Sequence, residues 1–337
     1  MQIGFARVRS FVLFMLASLG TFWLAFGTVG RFISDLVISP FAWSPPGLLG
    51  ALWTMFLMLL SLLPQLVILF SFFYFVEKNS PQSWSRIVMG LGCGTVAAGT
   101  LTGLRRSERA RTAVLLSFVP CSAQMPVVLM LLGGVLKLNF AVIFLFYAGA
   151  IGFGFLVQRF LYGSFKNRMA CGEDLTDKQA DARKSFFVSV AGDTLRFFER
   201  ISGTVLLAAA ILYLVSNYNF SLAQVPTRDS MLIQICNLVQ VVFVPLGFNG
   251  AIIAVLVFGI LGKEMSAAAI LLLSPFDTVA SVVTFLIFFM LYPPCIANVK
   301  AIASVTDRRT ASVVVLSNLA AAYLAAFAFY TLYLIVI

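Results

Sequence analysis

Long apolar runs separated by short polar segments fill most of this chain. Several runs, among them 11–29, 140–161 and 310–337, approach or exceed the about 20 residues that a helix needs to cross about 30 Å of hydrocarbon. Residues 31–46 instead have the pattern of an amphipathic stretch that lies at the membrane interface. The pattern predicts an all-α, polytopic membrane protein of about 8–10 transmembrane or half-membrane helices.

Four of the apolar segments are interrupted by glycine, proline or charge. The strings PCSA at 120–123 and PCIA at 294–297 each place a proline inside an apolar stretch, where it removes a backbone donor and opens the helix. Each string follows an earlier interruption, GLGCGT at 90–95 and GKEMS at 262–266, so that Glu264 takes the place in its half that a cysteine takes in the other. Paired broken segments in two halves of a chain predict a transporter's binding site.

The same pattern divides the chain into four parts. Residues 1–85 form N-terminal transmembrane segments, 86–163 a first repeat, 164–200 a polar cytoplasmic connector, and 201–337 a second repeat with the C-terminal span. The connector is too short and too charged to fold as a domain. The first apolar run is longer than a signal-peptide core and lacks a clear cleavage site, which favours an uncleaved span over a signal peptide.

Composition and charge agree with the membrane class. The chain is 61% hydrophobic and 11% charged, with a mean hydropathy of +1.00, whereas soluble domains are about half apolar and a quarter charged. The net charge of +10 comes from loops between spans, notably RRSERAR at 105–111 and the cluster around 300–309. We interpret it as positive-inside anchoring against anionic lipid, not nucleic-acid binding, and expect both clusters and the N-terminus in the cytoplasm.

Several chemistries are excluded by residue content. Histidine is absent, which removes the commonest transition-metal ligand and any histidine-based triad. The chain has no GxxxxGK[ST] loop for nucleotide hydrolysis and no CxxC pair for a zinc knuckle. No nucleophile–base pair is visible, so we do not expect an enzyme.

Two acids and one lysine lie within mostly apolar sequence. Glu264 and Asp277 are functional candidates because an ionisable group in a span is costly. Asp277 also fits the N-cap of the next span. For Lys263 the sequence favours a side chain that snorkels to the interface.

The five cysteines fall into two groups. Cys171 and Cys236 read as small buried hydrophobes. Cys93, Cys121 and Cys295 lie among glycine or proline residues that loosen the helix, where backbone carbonyls offer oxygen ligands. A thiolate there would favour a transition metal over Na⁺ or Mg²⁺ without separating Fe²⁺, Zn²⁺ and Cu⁺.

These motifs, taken in order, resemble the membrane permease domain of the FeoB-type ferrous iron transporter family, with its two Gate repeats in inverted arrangement. The similar elements are 92–96, the basic hinge 105–111, 120–127, 197–204, 262–264 and 291–297. The chain departs from the family pattern at Ala97, at Gln124 and at the acidic pair that is reduced to Glu77 and Lys78. The family's N-terminal GTPase domain has no counterpart in the sequence.

The resemblance implies transport of Fe²⁺ or another divalent metal across a bacterial plasma (inner) membrane, with no permanently bound cofactor. It also implies a separate cytoplasmic GTPase or small partner protein, or a homo-oligomer. The expected metal pathway contains Cys93, Cys121, Cys295 and Glu264. Further pathway candidates are Glu77, Gln124, Asn298 and Asp277.

Two other functions fit the sequence. A transporter of a small organic solute such as a nucleoside, a substrate suggested by the label that related Gate domains carry, would use polar side chains in the same cavity, with Gln124, Asn249 and Asn298 as candidates. A degenerate permease would act as a membrane scaffold that does not transport.

Overall fold

The computed structural model describes most of the chain from residue 82 onward. The described residues are 47, 49–50, 52–53, 56–57, 82–104, 106–137, 140–165, 186–221, 223–263 and 265–336. The candidates Glu77 and Glu264, the cysteine at 171, the first apolar run and most of the polar connector lie outside them. The predictions made for those parts stay predictions.

The described residues are predominantly helical and contain no strand, which confirms the all-α class. Four helical segments are long and apolar enough to cross a membrane: Glu108–Val135, Val142–Phe160, Val279–Val305 and Arg308–Val336. A bent pair, Met231–Leu246 with Gly250–Leu261, makes a fifth if it counts as one span. The polytopic prediction is therefore confirmed, while the two-repeat arrangement and the fourfold division of the chain remain predictions.

The helices are α1 (Gln82–Gly92), α2 (Gly94–Gly99), α3 (Arg106–Ser117), α4 (Met125–Val128), α5 (Phe140–Phe165), α6 (Phe186–Asn217), α7 (Met231–Phe243), α8 (Gly250–Leu261), α9 (Met265–Leu273), α10 (Val279–Leu291), α11 (Ile296–Val305) and α12 (Arg308–Val336). Helix α4 continues as a π-helical segment over Leu129–Val135. Contacts divide the chain into one unit of residues 1–92 and 179–210 and a second of 93–178 and 211–337. All the breaks described below lie within the second unit.

Two spans of the second unit are interrupted midway by proline. Helix α3 ends at Ser117, and the chain passes Pro120 before it resumes helical structure at a 3₁₀ turn, Ser122–Gln124. Helix α10 ends at Leu291, and two prolines at 293–294 precede α11. Each break leaves carbonyl groups without an intrahelical donor. In a membrane such groups need partners from within the protein.

One asparagine supplies partners at both breaks. Asn318 of α12 is fully buried, and its Nδ2 donates to the carbonyl of Ser117 at 3.1 Å and to that of Leu291 at 3.2 Å. Its Oδ1 accepts a hydrogen bond from the Ser117 hydroxyl at 2.8 Å. A single side chain therefore joins the last residue of α3 to the last residue of α10.

A buried glutamine makes a second link between the two breaks. The Oε1 atom of Gln124 accepts from the backbone N–H of Cys121 at 3.1 Å, and its Nε2 donates to the carbonyl of Phe289 at 2.8 Å. The side chain is 1% exposed. The first break is thus held against the final turn of α10 by a polar group that has no access to solvent.

A sharp bend separates α7 from α8. The two helices meet at 103°, and Gly247 ends the intervening 3₁₀ turn with a φ of 70°, a conformation that favours glycine. Asn249 then caps α8, because its Oδ1 accepts from the N–H of Ile252 at 2.9 Å. Helix α8 packs on α9, and α9 also contacts α4 beyond the first break.

We expect Asn318→Leu to destabilise the protein, because the variant strands the carbonyls of Ser117 and Leu291 in a dry interior. Each stranded buried group costs about 1–3 kcal/mol. Thermal unfolding of the purified protein in detergent measures the effect. The matched control is Ser312→Ala on the exposed face of the same helix, and equal midpoints for the two variants would show that the asparagine bridge is dispensable.

Candidate functional site

Three cysteines each immediately precede a helical segment at a break. Cys93 is the N-cap of α2 and Cys295 that of α11, and Cys121 is the N-cap of the 3₁₀ turn that leads into α4. Cys93 and Cys121 have extended backbone conformations, Cys295 has a φ of −59° and a ψ of 158°, and all three side chains are half-buried. Since the first N–H groups of a helix lack intrahelical acceptors, each thiol lies beside backbone donors that have no ladder partner.

The helices that start at Cys93 and Cys295 pack side by side. Helices α2 and α11 share one of the most extensive contacts in the second unit, and Gly94 faces Asn298 across it. A Cβ atom at position 94 would lie 2.5 Å from Nδ2 of Asn298, so an alanine there would force the Asn298 side chain to move. The two thiols are near enough to interact electrostatically. The structure thereby brings together two cysteines that lie in different halves of the sequence.

The amide of Asn298 leaves one atom unsatisfied. Its Oδ1 is buried and has no hydrogen-bond partner among the described residues. Asn298 lies one turn beyond Cys295, and its backbone N–H donates to the Cys295 carbonyl at 2.9 Å. A buried oxygen acceptor without a donor is an unfavourable group, and a cation is one kind of ligand that would satisfy it.

Lys263 occupies the region between the breaks. Its side chain is 5% exposed, and its Nζ lies 4.6 Å from the ring centroid of Tyr292 and 5.7 Å from that of Phe289. The ammonium interacts electrostatically with the thiols of Cys121 and Cys295. The interpretation that this lysine snorkels to the interface is therefore wrong, because its charge points into the protein.

The thiols are distributed along the region and do not form a compact cluster. Within the described part of the chain, no three cysteine or acidic side chains come close enough to hold one metal ion. The predicted set of Cys93, Cys121, Cys295 and Glu264 is untested as a whole, since Glu264 is outside that part.

Most of the other polar candidates have structural partners. Gln124 links the two breaks, and the Nδ2 of Asn249 donates to the Pro275 carbonyl at 2.9 Å and to Oδ2 of Asp277 at 3.3 Å. Asp277 is exposed, and Thr278, one residue later, is the N-cap of α10. The N-cap interpretation of Asp277 therefore needs correction by one position.

The sequence did not predict the role of Asn318 at the two breaks, the burial of Lys263, or the position of Tyr147 near Cys121. The hydroxyl of Tyr147 donates to the Met125 sulfur at 3.5 Å, and the side chain interacts electrostatically with Cys121. A lone amide within the long apolar run of α12 was the available signal for Asn318, because polar side chains in spans commonly bond across helices.

Arg109 joins the far ends of the two short helices. Its guanidinium donates to the carbonyls of Thr102 at 3.1 Å and Leu104 at 2.9 Å, beyond α2, and to that of Val305 at 3.1 Å, at the end of α11. The basic hinge and the 300–309 segment therefore lie at the same end of the second unit. This contact makes one arginine of the hinge part of the fold.

These features define a polytopic helical membrane protein with discontinuous spans, in which helix breaks from two halves of the chain meet around half-buried thiols and a buried ammonium. Broken helices of this kind form the substrate and ion sites of transporters.

The chain is similar in sequence to known transporters of one kind. It is 24% identical over 294 residues to a protein of Synechocystis sp. named Fe(2+) transporter FeoB, covering 76% of this chain and 47% of the relative. It is 26% identical over 305 residues to a protein of the same name from Staphylococcus aureus, covering 79% of this chain and 46% of the relative. The resemblance drawn from the motifs is thus confirmed, and the chain is similar to FeoB-type transporters over most of its length.

The chain spans about half the length of the curated relatives it matches. No protein-family model matches it, and no solved structure does.

The arginine contact and the length of α12 together predict the sidedness of three positions. Cysteines introduced at Thr102 and Arg308 should react with an impermeant maleimide from the same side of the membrane. Helix α12 is 29 residues long and thus about 43 Å in length, so a cysteine at Ile335 should react only from the opposite side. Labelling of all three positions from one side would contradict the assignment of α12 as a span.

The contact between α2 and α11 predicts a difference between two glycines of the same helix. Gly94→Ala should lower the unfolding temperature, since overpacking costs about 1–3 kcal/mol and the new methyl group meets Asn298. Gly99→Ala is the matched control, because nothing lies within 4 Å of a Cβ atom there. Equal thermal stability of the two variants would show that the helices are farther apart than described.

Proposed function

We propose that this protein transports a divalent metal ion, most favourably Fe²⁺, through the region where the two broken spans meet. The observation that carries the proposal is the placement of three cysteines at helix breaks within one part of the fold. The relatives' name, Fe(2+) transporter, supports the choice of metal. The exact ligands, and the contribution of Glu264, belong to the proposal.

The available donor atoms suit a borderline transition metal. Thiolates select against Na⁺ and Mg²⁺, while carbonyl and amide oxygens hold divalent cations without binding them irreversibly. The Oδ1 of Asn298 beside Cys295 is such an oxygen. A path whose ligands are spread out binds an ion at each step weakly enough to release it.

An organic solute receives less support from the same geometry. Recognition of a nucleoside requires several side-chain amides or hydroxyls directed at one cavity. Of the three amides considered for this role, Gln124 and Asn249 make hydrogen bonds within the fold. Only Asn298 retains an acceptor for a ligand.

Coupling of transport to nucleotide hydrolysis would require a separate partner protein. We infer that a GTP-hydrolysing partner acts at the end of the second unit where Arg109 holds α11. Because Arg109 is engaged by backbone carbonyls, the contact would use neighbouring exposed charges such as Glu108 and Arg308. Exposed charges mainly steer association, so the partner should bind in a salt-sensitive way.

Uptake into liposomes containing the purified protein tests the transport proposal. We expect anaerobic Fe²⁺ uptake by the wild type, with Zn²⁺, Mn²⁺ and a nucleoside measured in parallel. The triple variant Cys93→Ser, Cys121→Ser, Cys295→Ser should reduce metal uptake by about tenfold or more, because serine is a much harder ligand of nearly the same size.

Cys236→Ser is the matched control, since this buried cysteine lies within α7 and does not precede a helix at a break. Wild-type rates of metal uptake in the triple variant would exclude thiol coordination. Uptake of the nucleoside without uptake of any metal would show that the substrate is an organic solute and not a metal ion.

A further inference from the structure

Lys263 carries a buried amine at the place where the two breaks meet. Among the described residues, no carboxylate forms an ion pair with it, and the contacts that the structure records for its Nζ are with the faces of two aromatic rings. Burial of a charge is costly, and a charged residue in a span marks a functional position by default. A lysine at the place where the two breaks meet therefore requires an explanation.

The base of this side chain is fixed, whereas its tip makes no hydrogen bond to any of the described residues. Lys263 lies in the tight connection between α8 and α9, where the N–H of Met265 donates to the Gly262 carbonyl at 2.9 Å and that of Ser266 to the Lys263 carbonyl at 3.3 Å. The Ser266 hydroxyl, in turn, donates to the carbonyl of Val255 in α8 at 3.1 Å. From this anchored backbone a flexible four-carbon stem carries the ammonium.

The tip of Lys263 lies beside the sulfur ligands of the proposed path. It interacts with the thiols of both Cys121 and Cys295, which belong to the two different breaks. Phe289 and Tyr292, whose ring centroids are 5.5 Å apart, provide the surface on which it rests. Cation–π contacts hold an ammonium without a directional hydrogen bond, so they allow it to withdraw.

We propose that Lys263 is the resident cation of this site: its ammonium occupies the space beside Cys121 and Cys295 when no metal is present, and a metal ion passes only by displacing it. The inference rests on the proposed function, which makes the breaks a cation path. An entering cation is repelled by the positive charge of the ammonium. Displacement of the ammonium is favourable only if the entering cation binds sulfur strongly. Alkali cations do not bind sulfur in this way, so the lysine excludes them.

The experiment measures Na⁺ leak and Fe²⁺ uptake separately in liposomes containing the full chain. Lys263→Met keeps the apolar stem and removes the charge, and we expect it to raise the Na⁺ leak by about tenfold or more, because the repulsion between like charges at short range is lost. Lys263→Arg keeps the charge and should remain as tight as the wild type. Lys300→Met, on the exposed face of α11, is the control for loss of a positive charge elsewhere.

Two outcomes overturn the proposal. A Lys263→Met protein that is as tight to Na⁺ as the wild type shows that the ammonium does not block ions. An equal leak in the Lys300→Met control shows that the effect is one of net charge. If the wild type takes up no Fe²⁺, the transport proposal fails on its own, because the Na⁺ comparison is measured without iron.

A measurement on the wild type covers the case in which the variants do not fold. Reductive methylation with formaldehyde labels accessible lysine amines, and mass spectrometry quantifies the label on the peptide that contains Lys263. Anaerobic Fe²⁺ should increase this labelling severalfold as the ammonium leaves the rings, while labelling of Lys300 stays constant. Unchanged labelling of Lys263 at saturating Fe²⁺ contradicts displacement.

Discussion

The structure depends on how backbone carbonyls are satisfied where two membrane-length helices break. Proline interrupts both spans, and hydrocarbon offers no donors to the groups that it frees. Asn318 serves the ends of both helices, and Gln124 ties the first break to the second. Because the same two amides satisfy both breaks, the breaks must lie together. The meeting of Cys121 and Cys295 around Lys263 is a consequence of that requirement.

A charge problem arises from the same arrangement. The start of α11 presents the positive end of a helix, and the ammonium of Lys263 lies beside it. Neither feature attracts a free cation. A cation can therefore enter only if the free energy of its bonds with thiolate sulfur and with carbonyl or amide oxygen outweighs the electrostatic repulsion. If the protein transports a metal as proposed, selectivity for a thiophilic ion would follow from this unfavourable field combined with favourable ligands.

The sequence predicted the class of fold and the places where helices break, because apolar length and proline act locally. It did not predict which helices of the two broken units would pack against each other. The match of Cys93 with Glu264 concerned equivalent positions in the two halves and not a contact, and the structure packs the helix after Cys93 against the helix after Cys295. This pairing depends on the fit of Gly94 to Asn298, a contact between distant residues that periodicity does not encode. The burial of Lys263 was not predicted for the same reason, since the two aromatic rings that contact its ammonium come from α10 and the turn after it.

The most direct test of the account is whether Cys93 and Cys295 lie within reach of one short bifunctional thiol reagent. In a variant that keeps only these two cysteines, mass spectrometry of the digested protein should find the cross-link in the native state and lose it after unfolding. A variant that keeps only Cys93 and Cys236 provides the distance control. Efficient reaction of each thiol without a Cys93–Cys295 cross-link would show that the two broken halves do not meet, and would contradict the shared site.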